Sequence, residues 1–251
     1  MSHNRSPAGR PLMLREGVRI GTFVKTASPQ IVEALGFSRL DFAVVDAEHA
    51  PFDRERLDTM MIASFAVGLP LIVRIPEISA AQVLSCLDIG AAGLLVPHVD
   101  DAETARTVVN LSRHRGGSRG FSGSPRFARY GALTMSGALD AGEGNWIMCQ
   151  IESVRAVENA EAIASVDGVD GIFIGYADLA LSMGLESPQH PQVTEAAGRV
   201  IEAGRTAGKS IGMFVANVAE RDRFQALGVD WFVIGSDQSL LRTAADTVAF
   251  A

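Results

Sequence analysis

WIMCQIESVRAVENAEAIASVDGVDGIFIG, residues 146–175, reads as one strand–helix–strand unit. WIMCQIE (146–152) and GIFIG (171–175) are short, near-continuous apolar runs, the pattern of parallel strands covered by helices on the outside. SVRAVENAEAIAS (153–165) between them is a helical stretch. The same unit recurs along the chain. Strand-like runs are VRIGTFV (18–24), LDFAVVD (40–46), PLIVR (70–74), GLLVP (93–97), SIGMFV (210–215) and WFVIG (231–235), which with the first pair make eight. Helical stretches fall between them at 29–36, 53–68, 78–90, 101–114, 194–208 and 219–228, and Gly36, Gly68, Gly90, Gly208 and Gly228 stand where a helix needs a left-handed cap. Regular βαβα alternation predicts a parallel sheet. Eight units in 251 residues favour a closed (β/α)8 TIM barrel in a single α/β domain over an open doubly wound sheet. Residues 1–13 read as a polar, flexible N-terminal arm, and 14–251 as the barrel.

Composition narrows the function. Apolar residues are 47% and charged residues 20%, as in a folded soluble domain, and the net charge is −7. That charge argues against nucleic acid or an anionic membrane as partner, since both need a basic face. It leaves room for an anionic small molecule, because one arginine or a metal reverses the field inside a cleft. No apolar run reaches membrane-spanning length, and Cys86 and Cys149, both inside apolar patterns, read as reduced core residues of a cytoplasmic protein.

In such a barrel the chemistry gathers at the carboxyl ends of the strands. The second strand ends in Asp46, followed by Glu48 and His49; the third ends in Arg74; the fourth leads to His98; the fifth ends in Gln150 and Glu152; the sixth leads to Asp178. Gln150 and Glu152, two apart on a strand, share a face. Two carboxylates on adjacent strands, completed by water and substrate oxygens, suit a hard ion such as Mg²⁺ or Mn²⁺. Equally, Glu152 and Asp178 could each cap the helix that follows, and spacing does not choose between the two readings. Arg74 offers a planar donor fork to a carboxylate or a developing enolate oxygen, or else a salt bridge to Asp46 or Glu48. His49 is an acid–base candidate oriented by Asp46, whereas His98, His114 and His190 have weaker claims and His114 reads as surface. Lysines are few and none ends a strand; Lys25, just past the first strand, comes closest, so a Schiff-base mechanism is less attractive than a metal one. GRTAGKS (204–210) imitates a phosphate loop but is one residue short and runs from helix to strand. One connection, 98–145, is far longer than the others, which suggests a lid or an intersubunit element.

Several stretches together resemble the HpcH/HpaI aldolase family of class II pyruvate aldolases: DFAVVDAEHAPFD (41–53), PLIVRIP (70–76), AAGLLVPHVD (91–100), SRGFS (118–122), CQIES (149–153), VDGVDGIFIGYADLALSMG (166–184), PQHPQV (188–193) and IGSDQSLL (234–241). The resemblance runs from about residue 14 to the C-terminus. It implies a phosphoenolpyruvate/pyruvate-type barrel that cleaves or forms 4-hydroxy-2-oxo acids from an aldehyde and pyruvate or hydroxypyruvate. It also implies a divalent ion (Mg²⁺, Mn²⁺ or Co²⁺) on Glu152 and Asp178. Arg74 would stabilise the enolate, and His49 with Asp46 would handle the proton through a water. Gln150 would contact the pyruvyl group, and the backbone at Gly175, Tyr176, Ala177 and Asp178 would cradle its carboxylate. The family implies a homohexamer, a trimer of dimers with the C-terminal helix packed on a neighbour. Residues 115–145 would then line the aldehyde pocket through Arg119 and Arg126. Two departures bear on substrate choice: Tyr176, which would narrow the site, and Phe214, beside Val215 at the end of the seventh strand. The competing expectation is a related barrel lyase acting on phosphoenolpyruvate or an acyl-CoA.

Overall fold

A computed structural model describes residues 17–249; the expected 1–13 arm lies outside the described residues. Eight parallel strands close on themselves in chain order, β1 (Arg19–Val24), β2 (Phe42–Asp46), β3 (Leu71–Arg74), β4 (Gly93–Val96), β5 (Trp146–Ile151), β6 (Gly171–Ile174), β7 (Ser210–Val215) and β8 (Trp231–Ser236), with β8 pairing back onto β1. The expected (β/α)8 barrel is the observed one. Outside it lie α1 (Pro29–Gly36), α2 (Arg54–Val67), α3 (Ala80–Asp88), α4 (Ala102–Ser112), α5 (Met135–Glu143), α6 (Val154–Glu158), α7 (Ala160–Ala164), α8 (Tyr176–Ser182), α9 (Pro191–Thr206), α10 (Val218–Gln225) and α11 (Asp237–Ala249).

Strand alternation sorts the apolar residues into two cores. Inside the barrel, Phe23, Phe42, Val44, Ile72, Leu95, Trp146, Met148, Phe173, Trp231 and Val233 form one cluster. Intervening residues such as Ile147, Cys149, Ile151, Ile172 and Ile174 face the helices in a second, larger cluster. Large rings fit inside because glycines lie beside them: a Cβ on Gly21 would stand 2.6 Å from the Phe42 ring, and one on Gly212 the same distance from Phe173. Trp146 and Trp231, ring centres 3.6 Å apart, close the amino-terminal end. The cluster leaves an apolar void of about 10 Å³, at the lower limit for a single water. Among the described residues the barrel is therefore plugged from below, which leaves its carboxyl end as the place for a ligand. There the Asp237 carboxylate, at the start of α11, accepts the backbone N–H groups of Lys25 (2.9 Å) and Thr26 (3.0 Å), which ties the last helix to the end of β1.

Local differences from the expected elements have physical reasons. The helix expected at 153–165 breaks into α6 and α7 at Asn159, whose side chain donates to the Asp100 carbonyl. Gly68, Gly90, Gly208 and Gly228 do take left-handed backbone. Gly36 does not; it is buried in the last turn of α1 because α2 passes so close that any Cβ there would run into Val67. The long connection holds a 3₁₀ helix (Arg126–Gly131) and α5. His114 is not a surface residue but is half-buried, stacked on Phe127 with ring centres 5.4 Å apart, and burial together with the nearby Arg119 charge pushes its pKa down. Cys86 and Cys149 are free and buried, and burial pushes both thiols up to about 12.

The two kinds of glycine predict opposite outcomes. Gly36→Ala overpacks the α1–α2 contact and should cost about 1–3 kcal/mol, a fall in melting temperature of roughly 2–12 °C for a domain of this size. Gly198→Ala, at an exposed site in α9 with open space around it, should add about 0.5–1 kcal/mol. Thermal melts of the two variants against the parent check both signs.

Candidate active site

The register of β2 on β3 sets Asp46 beside Arg74. Asp46 is fully buried, and Arg74 grips it with two hydrogen bonds, Nε to Oδ1 at 3.0 Å and Nη2 to Oδ2 at 2.8 Å. Lys25 Nζ lies 3.0 Å from Oδ2, and the backbone N–H of His49 donates to Oδ1 at 3.1 Å. Burial pushes the Asp46 carboxyl up, but the Arg74 hydrogen bonds and charge, the His49 amide and Lys25 outweigh it and hold its pKa below 3.8. The guanidinium stands over the Phe23 ring, its carbon 4.7 Å from the centroid. With Nε and Nη2 engaged, Nη1 is uncommitted among the described residues.

Glu48 is the next link. One of its oxygens lies 3.2 Å from Arg74 Nε and 3.5 Å from His49 Nε2; the other lies 3.3 Å from His98 Nε2. Burial, with Glu152 nearby, raises its pKa above 4.5. The imidazole of His49 thus meets Glu48, whereas Asp46 holds only the His49 backbone. The carboxylate beside the His49 ring is Glu48, two residues from the Asp46 expected, because Arg74 and Lys25 already fill Asp46.

Glu152 follows β5 directly and is buried. Its Oε1 accepts the His98 N–H at 2.7 Å and lies 2.9 Å from His98 Nδ1, while Oε2 accepts a hydrogen bond from the Gln150 amide. It does not cap a helix: Ser153 caps α6, donating in turn to Asp100. Gln150 is buried, and its Oε1 has no partner among the described residues. Gly175, at the head of α8, packs against this pair so closely that a Cβ would lie 2.8 Å from Glu152 Cβ and 3.0 Å from Oε2. Ala177 and Asp178 follow in the exposed first turn of α8.

Other expected positions fall elsewhere. Tyr176 turns outward, its hydroxyl 2.9 Å from Thr194 Oγ1 and its ring edge-on to Phe224, so it cannot narrow the mouth. Val215 faces the helices, because β7 alternates and Phe214 takes the inward position. Phe214 is 40% exposed at the mouth, 5.9 Å from Phe23 between ring centres. Arg119 and Arg126 do not reach the site within the chain. The connection from the end of α4 to the start of β5 runs across the amino-terminal side, and there Arg119 bonds Asp88 (2.9 Å) and Arg126 bonds Asp58 (2.7 Å) and the Ile89 carbonyl. Glu48, His98 and Lys25, given little weight or none from the sequence, join the cluster. All three sit within two residues of a strand's carboxyl end, the signal that selected the others.

Among the described residues no three His, Cys, Asp or Glu side chains are arranged to hold a metal by themselves. The donor set nonetheless fits a hard divalent ion that also takes oxygens from water and substrate. Glu152 is a buried carboxylate, Gln150 Oε1 is an orphaned buried acceptor beside it, and Gly175 keeps the space over Oε2 clear of any side chain.

A plugged (β/α)8 barrel with carboxylates, histidines and an arginine gathered at its carboxyl end has the layout of a barrel enzyme. Residues 19–244 match the model of HpcH/HpaI aldolase/citrate lyase, and the chain belongs to that family. It is a carbon–carbon lyase. It is 35% identical over 236 residues to a 5-keto-4-deoxy-D-glucarate aldolase of Klebsiella pneumoniae, covering 93% of this chain and 92% of that one. It is 34% identical to a 4-hydroxy-2-oxo-heptane-1,7-dioate aldolase of Salmonella dublin, covering 96% and 90%. A solved HpcH/HpaI aldolase/citrate lyase family protein from Burkholderia cenocepacia superposes with a TM-score of 0.90 at 31% identity, covering 95% of each chain.

Removing the guanidinium should cost stability in a pH-dependent way. At neutral pH, Arg74→Gln leaves buried Asp46 with Lys25 as its one cation, a loss of about 3 kcal/mol. In the parent, the depressed Asp46 pKa stabilises the fold at all pH values above 3.8 and is lost only as pH falls through the lower folded value. In the variant that pKa rises, so its penalty fades as pH falls towards 4. Urea midpoints of both proteins at pH 7 and pH 4.5 should lie further apart at pH 7.

Proposed function

We propose that this chain is a metal-dependent aldolase that reversibly cleaves 4-hydroxy-2-oxo acids to an aldehyde and pyruvate or hydroxypyruvate. The observation that carries the reading is the buried Glu152 carboxylate, set beside an unpartnered Gln150 amide oxygen and a glycine-cleared approach from the helix that bears Asp178. Glu152 and Asp178 would hold Mg²⁺, Mn²⁺ or Co²⁺. When bound, the ion supplies Lewis acidity towards the 2-oxo acid.

The chain's own groups do the rest. Arg74 Nη1 donates to the C2 keto oxygen of the substrate, where negative charge grows, and Asp46 keeps the fork in place. In cleavage His49, oriented by Glu48, takes the proton of the C4 hydroxyl through a water. The C3–C4 bond then breaks, C4 becomes the aldehyde carbonyl, and the bonding pair moves to the C2–C3 enolate. A proton added at C3 completes pyruvate. Synthesis reverses each step. Gln150 contacts the pyruvyl group, Gly175 and Ala177 bound its carboxylate end without bulk, and Phe214 stands on the acceptor side.

Two wider expectations accompany the reading. Leu241 (70% exposed) and Val248 (81%) on α11 support packing on a second copy in a hexameric trimer of dimers. Free buried cysteines suit the reducing cytoplasm, and no described helix is long and apolar enough to cross a membrane.

Pyruvate release from a panel of 4-hydroxy-2-oxo acids tests the activity. Excess chelator should abolish it and Mg²⁺, Mn²⁺ or Co²⁺ restore it; full turnover in chelator sinks the proposal. Arg74→Ala should lower kcat about 10²–10³-fold, and His49→Ala about 10²-fold or more. For the assembly, light scattering should give close to six times the 26.6 kDa chain mass.

A further inference from the structure

His98 is given no part in the chemistry above, yet its conformation is exceptional. Its φ is +57°, left-handed backbone that side chains other than glycine rarely take. The two other described non-glycine residues of this kind, Arg129 and Tyr130, are neighbours in the exposed 3₁₀ helix on the far side of the barrel. A non-glycine residue held this way persists only where its surroundings over-determine it. Here the surroundings are two carboxylates from different loops.

The turn after β4 brings the His98 N–H to Glu152 Oε1 at 2.7 Å and Nδ1 to the same oxygen at 2.9 Å. A carboxylate has about four acceptor positions, two on each oxygen. The His98 N–H fills one on Oε1, where Nδ1 also stands at 2.9 Å, and the Gln150 amide fills one on Oε2. With the His98 backbone and ring both against Oε1, the less crowded oxygen is Oε2, 3.0 Å from where a Gly175 Cβ would lie. The far edge of the ring, Nε2, stands 3.3 Å from Glu48 Oε1, and the other Glu48 oxygen faces Arg74 and His49. One imidazole therefore spans the carboxylate read as a metal ligand and the carboxylate that orients the proton-handling histidine. Its side chain is 70% exposed, so these contacts are made at the open mouth and not in a packed core.

We propose that His98 is a positioning residue: its N–H and ring sit against Oε1 of Glu152 so that Oε2 is the oxygen presented to the divalent ion, while the far edge of the ring holds Glu48 beside His49 and Arg74. The inference rests on the aldolase reading of Glu152, and the experiment separates the two. Mn²⁺ binding is titrated without substrate, by calorimetry and by electron paramagnetic resonance, for the parent, Glu152→Gln, His98→Gly and His98→Asn. Glycine and asparagine both accept left-handed backbone, so neither variant is expected to unfold, and melting without metal checks this. Glycine keeps the backbone donor and loses the ring. Asparagine keeps a side-chain N–H in the place of Nδ1 and loses Nε2.

His98→Gly should weaken Mn²⁺ binding about 10–100-fold, the usual effect of removing a group that orients a metal ligand. His98→Asn should bind within about fivefold of the parent, yet turn over substrate at least about tenfold more slowly because Glu48 is released. The inference is overturned if His98→Gly binds Mn²⁺ within about threefold of the parent, or if His98→Asn binds as weakly as His98→Gly. If the parent binds no more tightly than Glu152→Gln, the assignment of Glu152 as a ligand fails, and the proposed function fails with it.

Discussion

The buried pair of Asp46 and Arg74 organises the carboxyl end of the barrel. A carboxylate with no solvent exposure is tolerable only when every acceptor position is filled, and here the donors come from three successive strand ends: Lys25 after β1, the His49 amide after β2 and Arg74 closing β3. The pair does more than neutralise charge. Two bonds to one carboxylate fix the plane of the guanidinium, and Phe23 beneath it removes the alternative of swinging inward. One nitrogen of the fork is left for a ligand. Glu48 then docks on the same guanidinium, and through Glu48 the two histidines at the mouth take their places.

That dependence explains why part of the site could be read from the sequence and part could not. Near-continuous apolar runs placed eight strands, and the two-residue step from Gln150 to Glu152 put both on the inner face, where the structure has them. The same parity would have sent Val215 outward once Phe214 was taken as inward. Arg119 and Arg126 could also have been placed, since a segment joining the end of α4 to the start of β5 stays on the amino-terminal side of the sheet. Other features are three-dimensional. Asp46 passes from His49 to Arg74 because the β2–β3 register sets it there. Tyr176 leaves the mouth because Thr194 on α9 offers its hydroxyl a partner. Gly36 serves packing and not capping because α2 crosses it. Nothing in the run LVPHVD shows that His98 takes left-handed backbone and reaches a carboxylate 54 residues away.

The balance of charge at the mouth points the same way as the donor geometry. Asp46, Glu48, Glu152 and Asp178 lie at the carboxyl end with Lys25 and Arg74, and both cations contact Asp46, with Arg74 also beside Glu48. The crowding registers on Glu48, where burial and the Glu152 charge together raise the pKa in spite of Arg74 and the histidines. Excess negative charge in a half-buried cleft is costly unless a counterion relieves it. On the proposed reading, an anionic 2-oxo acid approaching the bare cleft would meet repulsion from Glu152 and Asp178. The same acid would meet attraction with the cation in place, so substrate affinity and metal occupancy would be bound together by the electrostatics of these side chains, whatever aldehyde takes the Phe214 side.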